Sequence, residues 1–125
     1  MRLIPLFLLV GMLAVSGWAE DAKPEPYSPE LVKKAEAGDA KAQCDLGSVY
    51  CLGDGVTKDY KEAVKWWTRG AEQGNAKAQC ALGVCYYEGD GVAKDYKEAL
   101  KWLTKAAEQG IPEAKGVLGA IKKSE

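Results

Sequence analysis

The chain contains no histidine, which removes the commonest general base and the commonest metal ligand together. Beyond residue 19 the serines are Ser28, Ser48 and Ser124, and none has a lysine three positions later, so a Ser-x-x-Lys nucleophile is absent. No two cysteines are spaced as Cys-x-x-Cys, which disfavours a dithiol redox enzyme. Neither sign of charge dominates: 17 basic residues stand against 18 acidic ones, interleaved as in KDYKEA, and this is a solvated helix face rather than a nucleic-acid stripe. The acidic residues fall at helix starts and on the surface rather than as facing pairs, which argues against two-carboxylate catalysis. Together these absences lead us to expect a protein that is not an enzyme, with no cofactor, no bound metal and no nucleic-acid partner.

What the chain does have is a repeat. Ala40–Asn75 recurs as Ala76–Ile111 with about 25 of 36 positions identical: AKAQC opens both copies, GDGV lies in the middle, KDYKEA follows and AEQG closes. A fixed period in this range marks a stacked solenoid, because one unit cannot bury its apolar face alone. The flanks continue the period. Leu31–Gly38 overlays Leu103–Gly110, and Ile111–Ile121 overlays Asn75–Cys85 while keeping Ala114, Leu118 and Gly119. The expected domain therefore runs over 30–125, as a half repeat 30–39, repeats 40–75 and 76–111, and a capping half repeat 112–125.

Residues 1–19 are a different object. Arg2 precedes an apolar run over Leu3–Val15, and Gly17-Trp18-Ala19 places small residues at −3 and −1 of a cut. This reads as a secretory signal peptide cleaved after Ala19. The run of about 13 residues, broken by Pro5 and Gly11, is shorter than the ~20 of a spanning helix. Residues 20–29 hold three prolines and read as a flexible spacer. The expected location is the periplasm or the secreted fraction, with no stable membrane insertion after cleavage.

Within each copy the apolar residues recur at helical spacing, as with Ala42, Leu46, Val49 and Tyr50, or Ala63, Trp66, Trp67 and Gly70. Asp39 and Asn75 are N-caps by type, and Asp59-x-x-Glu62 and Asp95-x-x-Glu98 have the form of capping boxes. Ser28-Pro29 and Pro112 mark two more starts, and Gly38, Gly74 and Gly110 mark stops. Gly53-Asp-Gly55 and Gly89-Asp-Gly91 read as turns with Val56 and Val92 tucked beneath, since they lack the residues of a phosphate cradle or calcium loop. The fold class is all-α: an α/α solenoid of six short helices in antiparallel pairs. Trp66, Trp67, Trp102, Tyr50 and Tyr86 read as packing within and between repeats.

The motifs A-x-A-Q-x-x-L-G-x-x-Y, G-x-G-V, D-Y-x-E-A and A-E-Q-G closely resemble the Sel-1-like repeat, a relative of the tetratricopeptide repeat with a longer inter-helix loop. The resemblance implies a tetratricopeptide-like superhelix acting as an adaptor for another protein or peptide. Exported members include host-interaction factors and cysteine-rich secreted proteins, some of which bind penicillin-type compounds, so the resemblance also implies a second reading as a small secreted hydrolase or ligand-binding protein. By analogy with the inward positions of tetratricopeptide helices, the partner-binding residues are Lys41, Ser48, Leu52, Lys77, Val84, Tyr87 and Glu88.

Cys44, Cys51, Cys80 and Cys85 all lie in the exported part, where disulfides are chemically expected; buried free thiols are the alternative. Cys44 and Cys51 stand about 10 Å apart along one helix, and Cys80 and Cys85 about 140° apart around theirs, so bonds within a helix are ruled out. Two inter-repeat connectivities are left. Helix phase favours Cys51–Cys85 with Cys44–Cys80. The cysteine-rich relatives carry one cysteine at the end of a second helix, where this chain has Ala35, Ala71 and Ala107, so their pairing does not transfer.

Overall fold

The computed structural model describes residues 25–124. The leader read over 1–19, its cut and the first part of the spacer lie outside these residues. Six helices follow: α1 Pro29–Glu36, α2 Ala40–Leu52, α3 Tyr60–Glu72, α4 Ala76–Glu88, α5 Tyr96–Glu108 and α6 Pro112–Ser124. Among the described residues there is no strand.

The helix starts are where short polar side chains can satisfy exposed N–H groups. Ser28 accepts from Leu31 N, Asp39 from Ala42 N, Asn75 from Ala78 N and Asp95 from Glu98 N, while Asp59 accepts from both Lys61 N and Glu62 N. The reciprocal arm of the capping box is used differently. The backbone N–H of Asp59 donates to Tyr50 O at 2.9 Å and that of Asp95 to Tyr86 O at 2.9 Å, so the donor a capping glutamate needs is already taken. Glu62 and Glu98 instead approach Lys65 and Lys101 at 3.8 and 3.7 Å. These backbone bonds tie the start of each second helix back to the first helix of its repeat.

Helices pack in chain order: α1 on α2, α2 on α3, α3 on α4, α4 on α5 and α5 on α6, and the first helices also touch one another, α2 with α4 and α4 with α6. Three apolar clusters result. Leu31, Ala35, Ala42, Leu46, Val49 and Trp66 form the N-terminal one. The central cluster, around Trp67, Leu82, Cys85 and Trp102, joins the two copies, and Cys80, Leu103, Ala114 and Ile121 anchor the C-terminal one. Val56 and Val92 do pack beneath their turns, on the N-terminal and central clusters. Each fully buried leucine in these clusters contributes about 1.5–3 kcal/mol relative to exposure. Tyr27, in the segment read as a spacer, is held down: its ring meets Tyr50 edge-on at 6.3 Å.

Close helix approach depends on missing side chains. A Cβ at Gly47 would lie 2.5 Å from Trp67 Cδ1, and one at Gly83 would lie 2.6 Å from Leu103 Cγ. Gly91, with φ +74°, lets the second turn lie on the backbone of the preceding repeat, where a Cβ would meet Tyr60 O at 2.5 Å.

Glutamines complete the stack. Buried Gln43 donates through Nε2 to Ala35 O at 2.9 Å, and its Oε1 accepts from Gln73 Nε2 at 2.7 Å. Gln73 Nε2 also reaches Gly38 O at 2.9 Å. One period on, Gln79 donates to Ala71 O at 3.2 Å and accepts from Gln109, which also reaches Gly74 O. Each unit ties the end of one second helix to the next repeat. Among the described residues no buried side-chain nitrogen or oxygen lacks a partner.

Candidate interaction face

Lys41, Ser48 and Leu52 are seven and four residues apart on α2, and Lys77, Val84 and Glu88 repeat that spacing on α4, so each set forms one stripe along its helix. The two helices that carry these stripes, α2 and α4, touch one another. Lys41 is exposed and paired with Asp45 at 3.0 Å, and that carboxylate holds the ammonium above its ordinary pKa. Ser48 donates to Cys44 O at 3.2 Å, leaving its hydroxyl oxygen half-exposed. Leu52 is 66% exposed, the most exposed of the large apolar residues described. Lys77 is exposed at the opposite end of α4.

Val84 and Tyr87 are half-buried at the margin of the C-terminal cluster. The Tyr87 ring lies 5.5 Å from that of Tyr96, tilted by 34°. Glu88 is exposed, and its hydrogen bond with Asp90 keeps its carboxyl above the ordinary pKa. The face therefore offers apolar area at one end and ammonium groups at the other.

The aromatic packing expected from the sequence is present: Trp66, Trp67 and Trp102 are buried, and Tyr50 and Tyr86 are half-buried. Trp67 also donates its indole N–H to Cys44 O at 3.1 Å. Lys65 and Arg69 flank the Trp66 ring at 5.2 and 4.9 Å, and Lys101 and Lys105 flank Trp102 at 4.9 and 5.0 Å. These cations shield the outer edge of the core.

All four cysteines are free thiols in this structure. Cys85 belongs to the central cluster, and half-buried Cys51 packs against that same cluster. Cys44 also lies in the central cluster, whereas Cys80 lies in the C-terminal one. Burial raises the Cys44 thiol to about 11 and the Cys85 thiol to about 12, with nearby negative groups adding to both. Among the described residues no group of three or more acidic or cysteine side chains is placed to hold a metal.

Sequence reasoning missed the glutamine pairs and the exposed Tyr60 and Tyr96, each beside a lysine, Lys58 at 5.0 Å and Lys94 at 5.8 Å. A signal was available. Gln43, Gln73, Gln79 and Gln109 keep identity at one offset, as do the Lys-Asp-Tyr triplets.

Stacked antiparallel helix pairs with an open face on the first helices define a helical-repeat scaffold. The Sel1 repeat model matches residues 40–75 and 76–111, and the chain belongs to the Sel1 repeat family. Sel1 repeat chains are helical scaffolds that generally mediate protein–protein interaction and are generally not enzymes. The chain is similar to the secretory immunoglobulin A-binding protein EsiB of Escherichia coli O6:H1 (strain CFT073), at 48% identity over 40 residues, or 32% of this chain and 8% of that protein. A protective antigen of uropathogenic Escherichia coli with an SLR fold superposes with TM-score 0.70 at 41% identity, covering 72% of this chain and 19% of its own. A Sel1 repeat protein from Oxalobacter formigenes gives TM-score 0.70 at 43% identity, covering 72% and 68%. Helicobacter pylori cysteine rich protein B gives 0.65 at 30%, covering 70% and 65%. Among the described residues no helix is long and apolar enough to cross a membrane.

Proposed function

We propose that this chain is an exported, non-catalytic scaffold that binds another protein through the first-helix stripes of α2 and α4. The observation that carries this reading is the contrast within the repeat. The glutamines, the Asp59 and Asp95 caps and the AEQG closures are identical in both copies, while several positions on the first-helix surface differ: Ser48 against Val84, Leu52 against Glu88, Cys51 against Tyr87. A surface whose residues vary over a fixed framework suits recognition, and the exposed Leu52 supplies an apolar anchor. Similarity to an immunoglobulin A-binding protein supports a protein partner, without carrying that ligand to this chain.

The test is affinity capture from cell envelope and culture supernatant with the soluble chain, compared with Leu52→Asp and Tyr87→Ala. Loss of a captured protein with both variants, at unchanged helicity, supports the stripe; equal capture by all three overturns it. Export is tested by intact mass, which should show a soluble product beginning at Glu20; a membrane-bound product retaining Met1 overturns it. The hydrolase reading is favoured by similarity to a cysteine-rich protein. Purified chain should give no β-lactam turnover, and measurable turnover would replace the scaffold reading.

A further inference from the structure

Two thiols from different repeats converge where α2 meets α4. Cys51 is the penultimate residue of α2, and Cys85 lies in the last turn of α4. Cys85 is 5% exposed within the central cluster, and Cys51 packs against that cluster from its half-exposed rim. The two are near enough that charge on Cys51 acts directly on Cys85. Burial holds the Cys51 thiol above its ordinary pKa; the Lys58 ammonium of its own repeat opposes this and the Asp90 carboxylate of the next adds to it, so charges of both repeats act on it. The other two thiols do not share this relation. Cys44 is buried in the central cluster with Asp45, Lys77 and Lys41, not another thiol, acting on it, and Cys80 lies in another cluster, where burial and then Glu113 act on it.

We propose that Cys51 and Cys85 form a disulfide stapling the first repeat to the second, with Cys51 as the thiol through which the bond is made, while Cys44 and Cys80 stay reduced. The required oxidant is a disulfide, small or protein-borne, of the kind found in oxidising compartments. Cys51 loses its proton to solvent, and the thiolate attacks one sulfur of the oxidant. That step forms a mixed disulfide and expels one thiolate of the oxidant, which takes up a proton. Cys85 then loses its proton and attacks Cys51 Sγ; the protein bond forms, and the second thiol of the oxidant leaves with a proton. Two electrons pass from the cysteine pair to the oxidant.

The order follows from access and charge. Burial raises both thiols, but Cys51 is only half-buried and the Lys58 ammonium partly offsets the rise, whereas Cys85 is buried with Cys51, Asp90 and Glu88 all adding to it. The bond closes a loop of about 35 residues, which restricts the unfolded chain. It also fixes Leu52 relative to Tyr87, each within two residues of a bonded sulfur.

The experiment uses the full chain incubated with oxidised glutathione, then alkylated with N-ethylmaleimide in denaturant. Two alkylated thiols, Cys44 and Cys80, are expected, with non-reducing digestion at Asp45 and fragment mass spectrometry joining Cys51 to Cys85. Four alkylated thiols, or a bond engaging Cys44 or Cys80, overturns the proposal. The Cys44→Ala, Cys80→Ala double variant should oxidise to no free thiol; two titrating thiols in it count against the bond. Cys51→Ser should melt like the reduced wild type, and a melt equal to the oxidised wild type removes the staple. Native-state alkylation of reduced protein should label Cys51 roughly ten-fold or more faster than Cys85; the reverse order overturns its role as entry thiol.

Discussion

The first copy packs Gly47 against Trp67 where the second packs Gly83 against Leu103. The backbones agree: both first helices end at a left-handed glycine, φ 71° at Gly53 and 80° at Gly89, and both second helices are capped by the same Asp. The tryptophan adds a hydrogen bond to Cys44 O, which a leucine cannot make. What is fixed in the repeat is therefore the absence of a side chain on the first helix, and the knob opposite is free to vary. The third copy of this position, Gly119, has nothing within 4 Å of a built Cβ, so the glycine is present there without the contact that requires it.

That contrast is broken most sharply by substituting the glycines. Gly47→Ala should cost about 2–3 kcal/mol, because the indole must leave both its site and its hydrogen bond. Urea unfolding measures this. A loss below ~1 kcal/mol would mean that Gly47 is only a weak helix former and that the close packing is incidental.

Next in size is the glutamine shared by both copies. Gln79→Leu removes the donor to Ala71 O and the acceptor of Gln109 Nε2, each of which keeps a backbone partner, and should cost about 0.5–1.5 kcal/mol. Gln43→Leu should cost a similar amount through Ala35 O and Gln73. Unequal losses would show that the two copies, alike in geometry, carry different loads.

The thiols provide a pH test in reduced protein. Cys44 and Cys85 titrate at about 11 and about 12, above the ordinary 9.0, so the folded chain keeps their protons longer than the unfolded chain does. Their contribution is complete below about pH 9 and is lost as pH rises through 11 toward 12. Melting temperature followed from pH 7 to 11 with reductant should decline, and Cys44→Ala should flatten the curve by removing one of these protons. A variant curve parallel to the wild type would show that other groups set the decline. The smallest effect is reserved for Gly119→Ala, which should be neutral or gain up to ~1 kcal/mol from helix propensity alone.

Much of the helix pattern could be read directly from residues. Asp39, Asp59, Asn75 and Asp95 announce four helix starts, and Gly38, Gly74 and Gly110, all with positive φ, announce three stops. The capping boxes were legible only in half, because the N–H that Glu62 would accept is committed to Tyr50 O, a contact set by the turn and not by local sequence. Tyr87 was readable as variable from its counterpart Cys51, but not as half-buried. Its neighbour Tyr96 lies across the turn, and helical spacing alone does not bring the two rings together. The thiol arrangement depends in the same way on how α4 sits against α2.

The packing of each helix on its neighbours in chain order, or on the next but one, bears on how the molecule forms. Contacts between nearby segments close short loops, and helical chains of this kind fold in microseconds to milliseconds. Thiol–disulfide exchange takes seconds to hours. The central cluster is therefore assembled long before any oxidant acts on Cys51, and Cys85 is already beside it when the first sulfur reacts. The bond records a seam that has folded, and it does not guide the chain toward it.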